Sequence, residues 1–257
     1  MLDGLFQAAL EDSRARQARL SYAELEIAAL SAPQPIDAEL ALAKTNRMRL
    51  IAEIKRASPS KGDLAEIPNP ADQGLGYQEA GADAISVLTE RTGFKGSLED
   101  LRQVSAASSI PTLRKDFIST EYQLLEARAS GASMALLILS WLDEKRYLEL
   151  KSFAEEIGLK VLVETHSAQE IEIAGESEAK LIGINTRDLV TFQTDIGLFE
   201  DLAEMLPDSC VKIAESSVRE VADVVRYRNA GADCVLVGEA LVKGDYQKLI
   251  PQIISVA

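Results

Sequence analysis

The sequence predicts a TIM (β/α)₈ barrel with additional N-terminal helices. Three observations carry that reading: eight short apolar, partly β-branched runs, helical spacing between successive runs, and a Gly-Ala-Asp or Gly-Ala-Ser punctuation at three of the run entries. The runs are residues 49–56, 84–89, 112–117, 135–140, 160–165, 180–186, 210–216 and 234–238. Their separations of roughly 20 to 35 residues leave room for one crossover helix each, as parallel strands with right-handed connections require. A chain of 257 residues fits one such domain.

Taken in order, residues 3–30 carry apolar side chains at helical spacing, among them Leu5, Phe6, Ala9, Leu25 and Ile27, until Pro33 and Pro35 interrupt the pattern. That segment is too short for a core of its own. Residues 1–45 are therefore expected as a helical extension packed on a single barrel domain spanning 1–257. After the first run, residues 72–80 hold the first crossover helix. Gly81-Ala82-Asp83, Gly131-Ala132-Ser133 and Gly231-Ala232-Asp233 each follow a helical segment, where glycine ends a helix without the Cβ clash of left-handed backbone. Ser97 before Leu98-Glu99-Asp100, and Ser119-Thr120-Glu121 before Tyr122, read as helix N-caps with acidic first turns. Ser217-Val218-Arg219-Glu220 fits a capping box with Ser217 at the N-cap.

Composition narrows the function classes. With 47% apolar and 26% charged residues, the chain is a folding globular protein, neither disordered nor collagen-like. No apolar run approaches a bilayer span and no signal-peptide pattern opens the chain, which predicts a cytoplasmic protein with no membrane partner. A formal charge of −14 sets the mean field against nucleic acid, so only local Lys and Arg clusters can capture a small anion. Cys210 and Cys234 stand at run entries and read as buried thiols; with the single histidine, His166, they make a poor zinc set. A carboxylate-bound Mg²⁺ stays chemically open. No Gly-Lys-Ser/Thr loop follows a run and no dinucleotide fingerprint occurs, so neither ATP nor NAD is inferred.

Charge inside a barrel strand is expensive except at the carboxyl-terminal rim, where active sites of this fold lie. In Ile51-Ala52-Glu53-Ile54-Lys55-Arg56 the period-2 alternation puts Glu53 and Lys55 on one side and Ile54 on the other, which points the charged pair into the barrel mouth; a local ion pair supporting the loop is the plainer alternative. Lys115 stands near the end of the third run, Glu164 near the end of the fifth and Asn185 near the end of the sixth, with Arg187 just beyond it. Asp116 alternates away from Lys115 and suits a structural pair with a basic neighbour. His166 reads as a local hydrogen-bonding residue. The last two runs lead into Glu215-Ser216-Ser217 and Gly238-Glu239, small residues that let backbone N–H groups approach a phosphate, with the Glu239 side chain turned outward. Ser58-Pro59-Ser60-Lys61-Gly62 adds hydroxyls and a positive charge in a loop suited to a lid.

Residues 51–62, Leu113-Arg114-Lys115-Asp116-Phe117, Gly183-Ile184-Asn185-Thr186-Arg187-Asp188-Leu189 and Ala214-Glu215-Ser216 resemble the indole-3-glycerol-phosphate synthases, and Ser86-Val87-Leu88-Thr89 and Gly96-Ser97-Leu98 fit the same family. The ordered resemblance spans about residues 50–241. It implies cyclisation of 1-(2-carboxyphenylamino)-1-deoxyribulose 5-phosphate to indole-3-glycerol phosphate with loss of CO₂ and water, in tryptophan biosynthesis, without a cofactor or a metal. It further implies Lys115 as general acid at the substrate carbonyl, Glu53 and Asn185 as groups holding the reacting centres, and Lys55 with Glu164 for carboxylate positioning and later proton transfer. Arg187, Glu215 and Ser216 become pocket residues, and Ser58, Ser216, Ser217 and Gly238 the phosphate site. Phe94, Phe117, Ile138 and Leu189 are candidates for the aromatic end of the substrate, with core packing as the competing reading. The chain departs from the family at Ser217, where glycine is usual. A phosphorylated small-molecule substrate, a monomer and association with other tryptophan-pathway enzymes complete the expectation. Two rivals stand beside it. One is phosphoribosylanthranilate isomerase, whose pattern of a cysteine at the first strand and an aspartate at the sixth is not met by Glu53, Lys55 and Asn185. The other is a catalytically silent barrel that binds a phosphorylated metabolite.

Overall fold

The computed structural model describes residues 2–188 and 193–257. Eight parallel strands close into a barrel: β1 (Arg49–Ile54), β2 (Ala84–Leu88), β3 (Thr112–Lys115), β4 (Met134–Ile138), β5 (Lys160–Thr165), β6 (Leu181–Asn185), β7 (Val211–Glu215) and β8 (Cys234–Val237). Sequence neighbours are sheet neighbours, and β1 closes the ring by pairing with β8 from Arg49↔Cys234 to Ala52↔Val237. Several strands stop a residue or two short of their apolar runs. β1 ends at Ile54 and β3 at Lys115, because the residues beyond leave the ladder for local bonds, as when the Asp116 carboxylate accepts the Phe117 N–H at 2.8 Å.

The period of two along each strand sorts side chains into two cores. Ile54, Ile85, Val87, Leu137, Val163, Ile182, Ile184, Val235 and Val237 face outward and pack under the helices. Inward, Ile51, Leu113, Leu136, Leu162, Leu181, Ile213 and Leu236 fill the barrel. Two residues further along the same inward rows stand Glu53, Lys115, Ile138, Glu164, Gly183, Glu215 and Gly238. The apolar floor and the polar mouth are thus successive layers of one alternation, which places Glu53, Lys115, Glu164 and Glu215 together at the carboxyl ends.

Helix ends follow the local chemistry. The crossover helix α4 (Pro70–Ala80) starts two residues before the expected span, with Pro70 in its first turn, where its missing N–H costs nothing, and Asn69 Oδ1 accepting from Ala71 and Asp72. Gly81, Gly131 and Gly231 all have positive φ (108°, 84° and 96°), the left-handed backbone expected at the strand entries. Ser97 caps α5 (Leu98–Ala107) and Thr120 caps α6 (Glu121–Ala129). Helices α7 (Glu144–Glu156), α8 (Ala168–Glu176), α9 (Gly197–Leu202), α10 (Val221–Asn229), α11 (Glu239–Lys243) and α12 (Tyr246–Ile254) complete the outer layer.

One expected cap is corrected. Ser217 does not open α10; that helix starts at Val221, and the Asp223 carboxylate holds the N–H groups of Arg219 and Glu220 at 2.8 and 3.1 Å. An N-cap needs extended backbone, and Ser217 has φ +64°.

The N-terminal stretch breaks into α1 (Leu2–Gln17), α2 (Tyr22–Ser31) and α3 (Ala38–Ala41), the first break set by a Ser21–Glu24 capping box. Ala38 and Leu42 seal the end where the strands begin, with Lys160 to Glu39 at 3.1 Å and Lys44 Nζ to the Asp208 carbonyl at 2.8 Å. Leu5, Phe6 and Ala9 of α1 join the inner core at the opposite end.

Candidate active site

A cavity of about 750 Å³ opens at the carboxyl ends of the strands, within the usual range for small-molecule sites. Glu53, Lys55, Lys115, Glu164, Asn185, Phe94, Phe117, Arg187, Glu215, Ser216, Ser217 and Gly238 all line it. Ser58 does not. It lies in a two-residue antiparallel pairing, Ser58↔Gly62, whose turn presents Ser60 and Lys61 to the cavity instead.

Lys115 is the centre of the charge. Its Nζ donates to Glu164 Oε2 at 2.7 Å and lies 3.2 Å from Glu215 Oε2, with the side chain only 13% exposed. Burial works against the ammonium, but Glu164, Glu215 and Glu53 outweigh it and raise its pKa above the ordinary lysine value. Glu164 also accepts from Asn185 Nδ2 at 3.0 Å. Burial pushes its carboxyl up, while Lys115 and His166 pull it further down, so it stays ionised. Glu215 goes the other way: burial raises its pKa, Lys115 opposes and the nearby Glu164 charge adds to the rise. Neither Glu215 oxygen has a hydrogen-bond partner among the described residues. Two buried carboxylates sharing one ammonium cannot both be fully compensated, which leaves Glu215 as the group most ready to carry a proton.

Backbone room makes this packing feasible. Gly183 on β6 faces Glu215, and any Cβ there would overlap the Glu215 carboxylate. A Cβ on Gly238 would likewise overlap Glu53 and come 3.1 Å from Lys55 Nζ. Lys55 Nζ meets Glu53 Oε1 at 2.6 Å, so the ion pair anticipated as a plain alternative exists, inside the cavity wall.

Directly after β7, Ser216 and Ser217 both take left-handed backbone, φ 71° and 64°. Ser216 Oγ donates to Asn185 Oδ1 at 2.8 Å, and Ser217 Oγ lies 2.6 Å from Thr186 Oγ1. Thr186 in turn is 3.1 Å from the buried Tyr227 hydroxyl. Glu239 also lines the cavity, its carboxylate held by Lys61 at 2.7 Å and Lys243 at 3.0 Å. Arg187 Nη1 donates to Ser60 Oγ at 3.3 Å, so the loop after β1 is tied across the mouth from two sides.

The apolar wall combines Phe94, Phe117, Ile138 and Leu88 with Leu5 from α1. Phe117 packs edge-on against Phe6 at 4.9 Å and lies 6.2 Å from Phe94. Phe94 is held by Glu90, whose carboxylate accepts the N–H groups of Thr92, Gly93 and Phe94 at 2.7 to 3.0 Å. Leu189 lies outside the described residues. Leu5 and Lys61 are site residues that the strand pattern could not find: one sits on a helix of the extension, the other in a loop, and neither position has a period that points inward.

Behind the cavity, Arg114 is fully buried between Asp116 at 2.9 Å and Glu126 at 3.2 Å, the structural pair expected for Asp116. Arg16 of α1 also pairs with Glu126. His166 bonds locally through its backbone N–H, which donates to Glu170 Oε2 at 2.7 Å, while neither ring nitrogen has a hydrogen-bond partner among the described residues and the imidazole stands between two carboxylates. Cys210 and Cys234 are free and buried, burial raising both thiol pKa values, Cys210 to about 11.

The family model described as Indole-3-glycerol phosphate synthase matches residues 2–253. An indole-3-glycerol phosphate synthase of Leifsonia xyli subsp. xyli is 50% identical over 245 residues, covering 95% of this chain and 94% of that protein. That of Rhodococcus opacus is 46% identical over 256 residues, covering 99% and 95%. Among solved structures, a thiamine phosphate pyrophosphorylase from Pyrococcus furiosus superposes with TM-score 0.61 at 13% identity, covering 81% of this chain and 94% of that one, a likeness of fold alone. Spanning nearly its full length and carrying the motifs that line the cavity, the match is decisive: the chain belongs to the indole-3-glycerol phosphate synthase family.

Proposed function

We propose that this chain closes the indole ring of 1-(2-carboxyphenylamino)-1-deoxyribulose 5-phosphate, releasing CO₂ and water and yielding indole-3-glycerol phosphate for tryptophan synthesis. The observation that carries the proposal is Lys115 Nζ, 2.7 Å from Glu164 and 3.2 Å from Glu215 in a largely apolar cavity. A ketone that must accept a carbon nucleophile needs a positioned cation at its oxygen, and Lys115 donates that proton as the ring carbon attacks. The carboxyl group then leaves the same ring carbon as CO₂, returning its electron pair to the ring. In the last step the new hydroxyl departs as water while the adjacent methylene loses a proton, which forms the second ring's double bond and completes the aromatic indole.

Glu53 and Asn185 hold the reacting carbon and amine, while Lys55 and Glu164 position the carboxylate and divide the proton transfers of dehydration. Arg187 orients these groups at the rim. The phosphate rests on the Ser216–Ser217 and Gly238 turns, and Phe94, Phe117, Ile138 and Leu5 take the aromatic ring. Pre-positioning of this kind needs no covalent intermediate on Lys115.

We further propose a cytoplasmic monomer, free to associate with other enzymes of the pathway, in which residues 1–45 belong to the same folding unit as the barrel. That unity is supported by Leu5, Phe6 and Ala9 sharing the inner core. No helix among the described residues is long and apolar enough to cross a membrane. The deciding experiment incubates purified, metal-free protein with the carboxyphenylamino substrate and follows indole fluorescence and CO₂ together. Joint appearance supports the reading. Formation of that compound from phosphoribosylanthranilate, without its conversion to indole, would favour the isomerase, and stoichiometric binding without CO₂ would favour the silent barrel.

A further inference from the structure

The overall reaction takes up a proton. A carboxylate enters, neutral CO₂ and water leave, and the balance requires one proton from solvent per turnover, whichever side chain hands it to the substrate. That proton balance rests on the proposed reaction. The buried carboxylate and lysine cluster must therefore be recharged each cycle. Glu164 is only 2% exposed, and a substrate bearing two anionic groups fills the mouth above it.

Behind β5 a second approach exists. His166 follows Glu164 by two residues, and its Nε2 lies 3.5 Å from Glu164 Oε1 while its Nδ1 lies 3.6 Å from Glu170 Oε2. Each gap is a few tenths of an ångström beyond hydrogen-bond length, closed by a small rotation of either side chain. Both ring nitrogens are buried without another hydrogen-bond partner among the described residues, an arrangement costly for a ring with only a structural role. Glu170, in the first turn of α8, reaches solvent with 17% of its side chain exposed, and is fixed by accepting the His166 backbone N–H at 2.7 Å.

We propose that His166 and Glu170 form a proton-return path that delivers solvent protons to Glu164, and through it to Lys115, without crossing the substrate-filled mouth. His166 is a positioning residue, acting on the reaction only through Glu164. A proton enters at Nδ1 from the Glu170 side and leaves from Nε2 to Glu164 Oε1, which keeps the ring's proton count unchanged over a cycle. Glu164 from β5, Glu170 from α8 and Glu215 from β7 face the ring, with Lys115 of β3 beyond Glu164. Burial lowers the imidazole pKa, but Glu170, Glu164 and Glu215 outweigh it, so the net shift is upward and favours the imidazolium form that donates.

The test uses the full chain and first requires that the parent turn the substrate over; if it does not, the reaction assignment fails and not the path alone. In an active parent, kcat falls as pH rises through the elevated imidazole value, because only the imidazolium donates. His166→Gln should lower kcat at least about tenfold, less than the ~10²-fold of losing a direct acid, leave KM within about twofold and abolish that alkaline limb. Exogenous imidazole should restore part of kcat to His166→Ala. Glu170→Gln, which can still accept the backbone N–H, should shift kcat in the same direction and leave the melting temperature unchanged. If folded His166→Gln and Glu170→Gln keep the parental kcat and pH profile, or if His166→Ala is slow but imidazole does not help it, the path is overturned. Should the His166 variants fail to fold, Glu170→Gln alone decides.

Discussion

The Ser217 hydroxyl lies 2.6 Å from that of Thr186, so a residue in left-handed backbone at the end of β7 is tied back to the end of β6. Left-handed geometry costs a non-glycine residue about 1–2 kcal/mol, and a net hydrogen bond contributes about 0.5–1.5 kcal/mol in return. The Ser217 side chain thereby offsets its own strain, and its hydroxyl turns toward Thr186.

Two substitutions separate these contributions. Ser217→Gly loses both strain and bond and should change stability by less than about 1 kcal/mol, whereas Ser217→Ala keeps the strain, loses the bond and should be destabilised by about 1 kcal/mol. Urea unfolding of both variants measures the difference. Equal stability of Ser217→Ala and the parent would show that the Thr186 contact does not contribute.

Lys115→Met preserves side-chain length but removes the proton donor. It should cost roughly 10²-fold or more in kcat with a smaller change in KM. Near-parental kcat in a variant with native circular dichroism and melting would remove Lys115 as principal acid and pass the role first to Lys55, which shares the cavity wall with it.

Gly238→Ala tests the spacing of the first ion pair. Its Cβ would overlap Glu53 and crowd Lys55, so the pair must move while the fold, at a position without positive φ, stays intact. A misplacement on the order of 1 Å costs as much as ~10²-fold in rate. Steady-state kinetics alongside a melting curve is the measurement, and parental kcat/KM would mean that Glu53 is not held where the reaction needs it.

The Glu215 carboxyl has a pKa raised above the ordinary glutamate value of about 4.3. Folded protein therefore binds more protons than unfolded protein between that value and the raised one, and this contribution to stability is full below the lower limit and lost as pH rises through the window. Glu215→Gln has no such dependence. Relative to the parent, it should gain thermal stability on going from about pH 4 to about pH 8. A relative loss over that range would mean that Lys115 compensates the buried carboxylate completely.

Much of this arrangement was legible in the chain because two local rules write it down. Strand periodicity alone puts Glu53 and Lys55, Lys115, Glu164 and Glu215 on inward rows, and the ladder then delivers them to one end of the barrel. Glycine entries and Ser or Thr caps mark where strands and helices begin, since those residues answer backbone needs within three or four positions. What no local rule contains is the direction of a loop. The resemblance implies Ser58 at the phosphate, whereas it is Ser60 and Lys61 of the same hairpin that line the cavity. The Ser217–Glu220 spacing suits a cap, yet the pull of Thr186 across β6 and β7 holds Ser217 in a backbone no N-cap adopts.

By itself, the sequence determined the barrel, its polar rim and the identity of the charged groups, because those follow from alternation and helix-end chemistry. Only the tertiary structure decided which carboxylate shares Lys115 with which, that Leu5 of a distant helix walls the cavity, and that His166 stands between Glu164 and Glu170. Those relationships join residues on separate strands and helices, and their energies depend on burial and distances that exist only once the ring is closed.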